Sequence, residues 1–280
     1  MTDDPENALD AVRRKAAKSS FYSAMKLMAK PQREGMFAIY AFCRAVDDIA
    51  DDGVGTRVER TAELQEWRDD LNSLYVGGRG GRAAFLKEVV TAFEPRLADF
   101  LAVVDGMQMD IDDDIVAPSL EVLDLYCDRV ASAVGRLSIK VFGMEEGPGF
   151  ALAYHLGRAL QLTNILRDLD EDAAIGRLYL PRDYLDIGLG PVDLGKVLDG
   201  PGLSETCRKV AVLALKHYDK AREIMAARPK GDIRAPRLMG AVYAEILKRM
   251  MAAGWAAPRK RVKLPKPLLA YLALRHGLGA

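Results

Sequence analysis

Apolar residues recur at steps of three and four along most of the chain, which is the spacing of one face of an α-helix. The pattern is clearest over residues 34–50, 119–143, 150–172, 203–227 and 236–253, and each of these segments has helical length. Few stretches alternate strictly between apolar and polar residues, so the pattern does not favour strands. The sequence therefore predicts an all-α protein of roughly ten helices.

Glycine and proline separate these segments. Clusters at Gly77–Gly81, Gly147–Gly149, 188–202 and Arg228–Asp232 predict turns or loops between helices. None of these breaks resembles a long interdomain linker, and the sequence has no internal repeat of fixed period. We therefore expect one domain over residues 1–280.

Composition and charge restrict the class of protein. Apolar residues make up 50% and charged residues 29% of the 280 residues, which is typical of a globular protein with a sizeable core. The 40 basic and 40 acidic residues cancel. A nucleic-acid-binding protein normally carries a basic excess, so we expect no nucleic-acid partner. Three widely separated cysteines, Cys43, Cys127 and Cys207, predict neither a disulfide framework nor a zinc site.

The ends of the chain and its apolar runs bear on location. The first residues are acidic and polar, unlike the basic and then apolar start of a signal peptide. The longest stretch without a charged residue, 147–157, is shorter than the ~20 residues that span a bilayer. We therefore expect a cytoplasmic protein.

Acidic residues are concentrated in three short clusters. Twelve of the 40 acidic residues lie at 47–52, 110–114 and 168–172. Like charges four residues apart destabilise a helix, so such clusters need a compensating interaction, and a bound cation is one. The middle cluster runs into Ile115–Ser119, which contains a proline, and we expect it to be an exposed helix end.

The first cluster belongs to a polar stripe on an apolar helix. Tyr40, Arg44, Asp47 and Asp51 follow one another at helical steps and therefore share one face. The flanking positions Phe37, Ile39, Ala41 and Phe42 are apolar, and a helix that is apolar nearly all round is buried. We therefore expect this stripe to face an internal cavity.

A second stripe repeats the arrangement with Gln161, Asn164, Asp168 and Asp172. Buried carboxylates must be paired or must coordinate a metal. Mg²⁺ prefers oxygen ligands and commonly links one or two carboxylates to substrate phosphates. Two facing DxxxD pairs therefore indicate a magnesium site, although either pair alone would be typical of a solvated helix face or helix end.

Both stripes resemble signatures of the squalene and phytoene synthase family. Residues 39–51 (IYAFCRAVDDIAD) are similar to the family's first signature, and residues 160–172 (LQLTNILRDLDED) to its second. The second continues into Gly176–Pro181, as it does in family members. The resemblance covers about residues 18–265, in the family's order.

Two further segments carry the resemblance. Tyr126–Gly135 is similar to the helix that precedes the second signature, and Ser19–Tyr22 resembles the family's diphosphate-contacting segment. One departure is Ala-Ser-Ala-Val-Gly at 131–135, where many relatives have Ala-Gly-Thr-Val-Gly. The stretches Asp124–Gly143 and Arg167–Asp183 are most similar to bacterial members that make presqualene diphosphate for hopanoids.

The resemblance implies an isoprenoid-synthase helical fold with a central cavity. It also implies a head-to-head prenyl transferase that uses Mg²⁺ and two molecules of farnesyl diphosphate. The glycine-rich fingerprint of dinucleotide-binding proteins does not follow a predicted strand here, so we expect no nicotinamide cofactor.

The resemblance also implies site residues. The expected Mg²⁺ ligands are Asp47, Asp51, Asp168 and Asp172. The expected substrate contacts are Ser20, Phe21, Tyr40, Arg44, Gln161, Asn164, Arg177 and Arg261. Catalytic roles are expected for Arg44 and Arg167, whose guanidinium groups suit phosphate, and for Tyr126 and Tyr179, whose rings would stabilise positive charge or steer the proton. Each tyrosine could instead be a core aromatic with a satisfied hydroxyl.

The product and the role of the C-terminal segment stay open at the level of sequence. The same fold could give a different product, such as dehydrosqualene, squalene or phytoene, or the chain could be a non-catalytic helical lipid-binding or assembly protein. The C-terminal segment, residues 246–280, has no acidic residue and eight basic ones. It would either contact an anionic membrane peripherally or pack back on the domain.

Overall fold

The computed structural model describes residue 25 and residues 28–51, 55–112, 115–185, 187 and 190–277. Helices dominate these residues. The β-type pairing found in the described part of the chain is a single bridge between Val116 and Leu178. The predicted all-α class is confirmed.

The helices follow one another closely and are numbered here in chain order. Helix α1 covers Lys30–Asp51, α2 Arg57–Tyr75, α3 Lys87–Phe93, α4 Leu97–Asp112, α5 Leu120–Cys127, α6 Ala133–Val141, α7 Glu146–Arg167, α8 Leu169–Ala174, α9 Leu194–Leu198, α10 Leu203–Ala226, α11 Arg234–Ala253 and α12 Lys266–Gly277. A π-helical turn, Asp128–Ser132, joins α5 to α6, and 3₁₀ turns lie at Gly81–Leu86 and Arg182–Tyr184.

Helix α7 is the central element and packs against α6, α10 and α11. Its start includes Gly147–Gly149, so the loop predicted there is wrong. Proline is tolerated in the first turn of a helix, where the backbone N–H groups have no helical partner. At Gly157 the helix crosses the π-helical turn so closely that a Cβ atom would lie 2.7 Å from the backbone of Ser132. Glycine is therefore required at this crossing.

The second acidic stripe is not one continuous helix, which corrects the expectation from its spacing. Helix α7 ends at Arg167, Asp168 has non-helical torsion angles (φ −105°, ψ 19°), and α8 begins at Leu169. The break places Arg167 in the last turn of one helix and three acidic residues in the first turn of the next. Both placements are favourable to the helix dipoles.

A buried arginine ties α7 to α5 and to the π-helical turn. Arg158 is only 4% exposed. Its Nε and Nη2 donate to the Asp124 carboxylate at 2.7 and 2.9 Å, and its Nη1 donates to Asp128 at 3.1 Å. Its guanidinium also lies over the ring of Tyr154 at 3.6 Å. The network holds the wall formed by these three elements together.

Replacing Arg158 with alanine should lower the free energy of unfolding by about 3 kcal/mol, because the change removes a buried guanidinium and leaves its carboxylates without that partner. Urea unfolding measures the loss. The matched control is Arg208→Ala, at an exposed position of α10. The ion pair of Arg208 with Glu205 is solvated, so its loss should lower the free energy of unfolding by less than about 0.5 kcal/mol. Equal losses in the two variants would contradict the structural role of Arg158.

Two histidines meet between α7 and α10. The Nδ1 atoms of His155 and His217 are 3.0 Å apart. Burial, followed by the neighbouring His155, lowers the pKa of His217 to about 4, and burial also lowers the pKa of His155. In the unfolded chain a histidine has a pKa near ~6.5. The folded state therefore binds fewer protons than the unfolded state between these values.

This difference predicts an acid-sensitive stability. The contribution of His217 to the free energy of unfolding is complete above about pH 6.5. It is lost as the pH falls towards 4, because the unfolded chain takes up protons first. The melting temperature of the His217→Asn variant should therefore fall less steeply than that of the unsubstituted protein between pH 7 and 4.5. Parallel curves would show that the pair does not contribute.

Candidate active site

The first acidic motif forms the C-terminal end of α1. Tyr40, Arg44, Asp47 and Asp51 all lie on this one helix, as their spacing predicted. Arg44 Nη1 donates to the Asp47 carboxylate at 2.7 Å, and the same guanidinium pairs with Asp48. Burial, and then the charge of Asp51, raises the pKa of Asp47 to about 7. The motif is therefore a crowded, partly buried set of carboxylates.

The second motif surrounds the junction of α7 and α8. Arg167 donates to both oxygens of Asp168, at 2.8 and 2.6 Å. Burial, and then the charge of Asp168, raises the pKa of Asp172 to about 7. This second set has the same character as the first, with carboxylates held close together and an arginine beside them.

Arg177 joins the two motifs. Its Nη1 donates to Asp51 Oδ1 at 2.5 Å and its Nη2 donates to the Ala50 carbonyl at 3.1 Å. Its charge also lowers the pKa of Asp172, whereas the charge of Asp51 raises it. Carboxylates that are far apart in sequence are thus within electrostatic reach of each other around one buried guanidinium.

The oxygen atoms at this site fit a hard divalent cation. Asn164 Oδ1, on α7, is buried and has no hydrogen-bond partner. Gln161 lies half-buried one turn earlier. Carboxylate and amide oxygens are the ligands that Mg²⁺ prefers. An unpartnered buried acceptor is costly, so the Asn164 oxygen suits a site that is completed by a cation or a ligand.

The carboxylates are held by arginines in this structure. Asp51 is paired with Arg177, and Asp168 with Arg167 and Arg261. Among the described residues, no three histidine, cysteine or acidic side chains converge closely enough to hold a metal ion. A metal would therefore exchange places with the guanidinium groups.

Two stacked tyrosines meet a buried aspartate beside Arg177. The rings of Tyr126 and Tyr179 have centroids 4.9 Å apart. Their hydroxyls donate to the Asp110 carboxylate at 3.0 and 2.8 Å. Burial raises the pKa of Asp110 to about 6, whereas Arg177 and the two hydroxyls lower it. Both tyrosines are buried with satisfied hydroxyls, and they lie next to the acidic motifs.

Asp110 corrects the interpretation of the middle acidic cluster as an exposed helix end. Helix α4 does end there, at Asp112, but Asp110 is only 5% exposed. Asp113 and Asp114 lie outside the described residues. The signal that could have identified Asp110 is its position between the apolar residues Met107 and Ile111, which follow the buried face of α4.

The segment after α11 folds back onto the second motif. Arg261 pairs with Asp168 at 2.9 Å and donates to Glu171 at 3.2 Å. Arg259 binds the Asp170 carboxylate, with its closest contact at 2.6 Å. The basic C-terminal segment thus supplies part of this site through Arg259 and Arg261.

An apolar cavity adjoins the polar site. It has a volume of about 140 Å³ and is lined by residues of α6, α7, α11 and the π-helical turn. Leu156 and Leu160 line it, and Asn164 follows them at the next helical step, so one stripe of α7 runs from the cavity to the carboxylates. This is the central cavity that the fold class predicts. The segment 131–135, which departs from the sequence found in many relatives, also lies here, because Ala131, Val134 and Gly135 line the cavity.

Two of the expected substrate contacts, Ser20 and Phe21, lie outside the described residues.

The sequence analysis did not identify Tyr243 of α11, whose ring centre lies 5.9 Å from the guanidinium carbon of Arg167. No local pattern on α11 distinguishes this tyrosine from a core residue.

The sequence as a whole matches one family. The model of the squalene/phytoene synthase family matches residues 14–267. The chain belongs to the squalene/phytoene synthase family. Enzymes of this family use prenyl diphosphates.

Several individual squalene/phytoene synthases are similar to the chain. It is 55% identical to the presqualene diphosphate synthase of Zymomonas mobilis, over 93% of this chain and 89% of that protein. It is 49% identical to the presqualene diphosphate synthase of Rhodopseudomonas palustris, over 93% of each chain. The crystal structure of a dehydrosqualene synthase superposes with a TM-score of 0.79 at 25% identity and covers 97% of both chains. The isoprenoid-synthase fold predicted from the motifs is confirmed.

Proposed function

We propose that the protein condenses two molecules of farnesyl diphosphate head to head, giving presqualene diphosphate and pyrophosphate, with Mg²⁺ as cofactor. The observation that carries the proposal is the meeting of both acidic motifs around Arg177 beside an apolar cavity. The relatives that are 49–55% identical over 93% of the chain bear the name of this activity. A non-catalytic role is disfavoured, because a scaffold would not need such crowded, partly buried carboxylates.

The polar site would hold the diphosphates. Asp47, Asp51, Asp168 and Asp172 would hold Mg²⁺, with Asn164 and Gln161 completing or supporting the shell. The metal supplies charge neutralisation of the leaving diphosphate. The guanidinium groups near these carboxylates would bind phosphate oxygens in bidentate fashion. They belong to Arg44, Arg167, Arg177 and Arg261.

The apolar cavity, at about 140 Å³, would take part of the prenyl chains and exclude water from it. In the reaction, the bond between C1 and the diphosphate oxygen of one substrate breaks and leaves an allylic cation. The 2,3 double bond of the second substrate attacks this cation, and loss of a proton closes the cyclopropane ring. Water in the cavity would quench the cation, so an apolar wall is required. Leu156 and Leu160 belong to that wall.

The stacked tyrosines would act next to the cation. Ring faces attract positive charge, and Tyr126 and Tyr179 are held in fixed positions by Asp110. Tyr40 and the undescribed Ser20 and Phe21 would complete the substrate contacts.

We also propose that the protein works in the cytoplasm and contacts the inner face of the membrane peripherally. No helix in the described part of the chain is long and apolar enough to span a bilayer. The acid-free segment 246–280 supplies cationic and apolar side chains that suit an anionic lipid surface.

Product analysis tests the reaction. The purified protein is incubated with farnesyl diphosphate and Mg²⁺, with and without NADPH, and with EDTA as the metal-free control. We expect presqualene diphosphate in both Mg²⁺ incubations and none with EDTA. Squalene or a C30 polyene as the main product would contradict the proposed reaction and would favour a squalene or dehydrosqualene synthase.

A further inference from the structure

A second cavity lies between α10, α11 and α12 and is larger than the central one. Its volume is about 790 Å³, against about 140 Å³ for the central cavity. The residues of α11 that line it, such as Ala241 and Ala244, lie on the opposite face of that helix from Pro236 and Met239, which line the central cavity. We call this second cavity the α10–α12 groove. Its volume lies within the ~300–1,000 Å³ range of sites that bind small organic ligands.

The floor of the groove is apolar. Four helices contribute to it, with Leu156 from α7, Leu215 and Met225 from α10, Ala244 from α11 and Leu272 from α12. Tyr218 also lies in the floor, but its hydroxyl is bonded to the Thr163 hydroxyl at 2.9 Å and is buried. The floor therefore suits a hydrocarbon chain.

The rim of the groove is cationic. It carries Arg222, Arg237, Lys248 and Arg275, against one lining carboxylate, Glu245. That carboxylate already accepts a hydrogen bond from a residue outside the lining, Arg249 Nε, at 2.9 Å.

Arg237, Arg275 and His276 line the same groove and lie close to one another. Burial lowers the pKa of His276, and the charges of Arg275 and Arg237 lower it further, so these groups share one space. Lys248 has no ion pair among the described residues. The rim is therefore able to take up an anionic group.

Exposed apolar side chains lie on two of the helices that carry the basic rim, and one of them, Met251, lines the groove itself. Leu274 is 62% and Tyr271 50% exposed on α12, and Met251 is 36% exposed at the end of α11. Large exposed apolar groups beside a basic rim are typical of a surface that enters the boundary between lipid headgroups and acyl chains.

We propose that the α10–α12 groove binds one acyl chain of an anionic phospholipid of the membrane, with the lipid phosphate held by the cationic rim. The occupant follows from charge and shape, because an apolar floor and a basic rim complement an apolar chain that ends in a phosphate. This site deepens the proposed membrane contact and does not depend on the proposed reaction.

Vesicle flotation of the full chain tests the rim. The vesicles are equal mixtures of phosphatidylglycerol and phosphatidylcholine. Each cationic side chain near such a surface contributes about five-fold to binding, so Lys248→Gln with Arg275→Gln should weaken binding about 25-fold. The matched control is Arg79→Gln with Lys87→Gln, which removes two exposed charges outside the groove and should leave binding unchanged. An equal loss of vesicle binding in the control would overturn the site, because the protein would then be attracted to the vesicles by its basic residues in general.

The floor is tested separately. Ala244→Trp, which fills the floor, should weaken vesicle binding at least ten-fold, and unchanged binding would overturn insertion of a chain. Independently of any variant, the unsubstituted protein should bind soluble dihexanoyl-phosphatidylglycerol saturably in calorimetry and should not bind glycerol 3-phosphate measurably. Equal binding of these two ligands would overturn the role of the acyl chain. Turnover of farnesyl diphosphate, measured without vesicles, should be retained in the rim variant and in its matched control, so that failure of the groove and failure of the proposed reaction are distinguished.

Discussion

Replacing Asp47 or Asp168 with asparagine is expected to reduce the turnover of farnesyl diphosphate at least about 10³-fold. Each change removes a carboxylate that would bind Mg²⁺, and electrostatic stabilisation of a developing charge at one position is worth several kcal/mol. The Mg²⁺ concentration that gives half-maximal rate should also rise. Both effects are measured by titrating Mg²⁺ at a fixed concentration of farnesyl diphosphate.

Stability separates this loss from unfolding. Asp47 lies among other carboxylates and its pKa is raised to about 7 by burial and then by Asp51. The neutral amide of the Asp47→Asn variant should therefore leave the melting temperature unchanged or raise it slightly. Asp69→Asn, on the exposed surface of α2, serves as the control and should retain full turnover. Full turnover in the Asp47→Asn or Asp168→Asn protein would refute the proposed metal site.

Replacing Arg177 with glutamine is expected to reduce kcat/KM about 10²-fold, because it removes the buried cation that joins the two motifs and would bind a diphosphate. The pH dependence should change as well. Arg177 lowers the pKa of both Asp110 and Asp172. Without it both pKa values rise, so the carboxylates ionise only at higher pH and the acid limb of kcat/KM moves to higher pH.

The shift should be largest at limiting Mg²⁺, because metal and protons compete for the same carboxylates. Arg177→Lys should recover part of the rate and of the original acid limb, since it keeps the charge without the planar geometry. Arg208→Gln, on an exposed face of α10, is the control. An Arg177→Gln protein whose pH profile superposes on that of the control would contradict the electrostatic role of Arg177.

Local patterns were sufficient to predict the helices that carry the site. The spacing of Tyr40, Arg44, Asp47 and Asp51 identifies one helical face because it depends only on the 3.6-residue period. The same reasoning failed at Asp168. There the preference of acidic residues for a helix start and of Arg167 for a helix end outweighed continuation of the helix.

Long-range contacts could not be predicted in this way. Asp110 stands in a run of acidic residues that is typical of a solvated helix end, yet two tyrosine hydroxyls from distant segments bury it. The bond from Arg177 to Asp51 also depends on how α1 packs against the segment that follows α8. The α10–α12 groove arises where four helices leave a gap, and no single helix carries a signal for it.

The pairing of arginines with aspartates affects how strongly ligand binding at this site depends on ionic strength. The site holds its own counterions, since Arg167 and Arg261 neutralise Asp168 and Arg177 neutralises Asp51. If Mg²⁺ and a diphosphate were bound together, Asp51 and Asp168 would hold the metal in place of these guanidinium groups, which would in turn bind phosphate oxygens. Loading is then an exchange of partners with little net change in the charge of the site. Added salt should therefore weaken it far less than it weakens binding of a phosphate to a bare cationic surface.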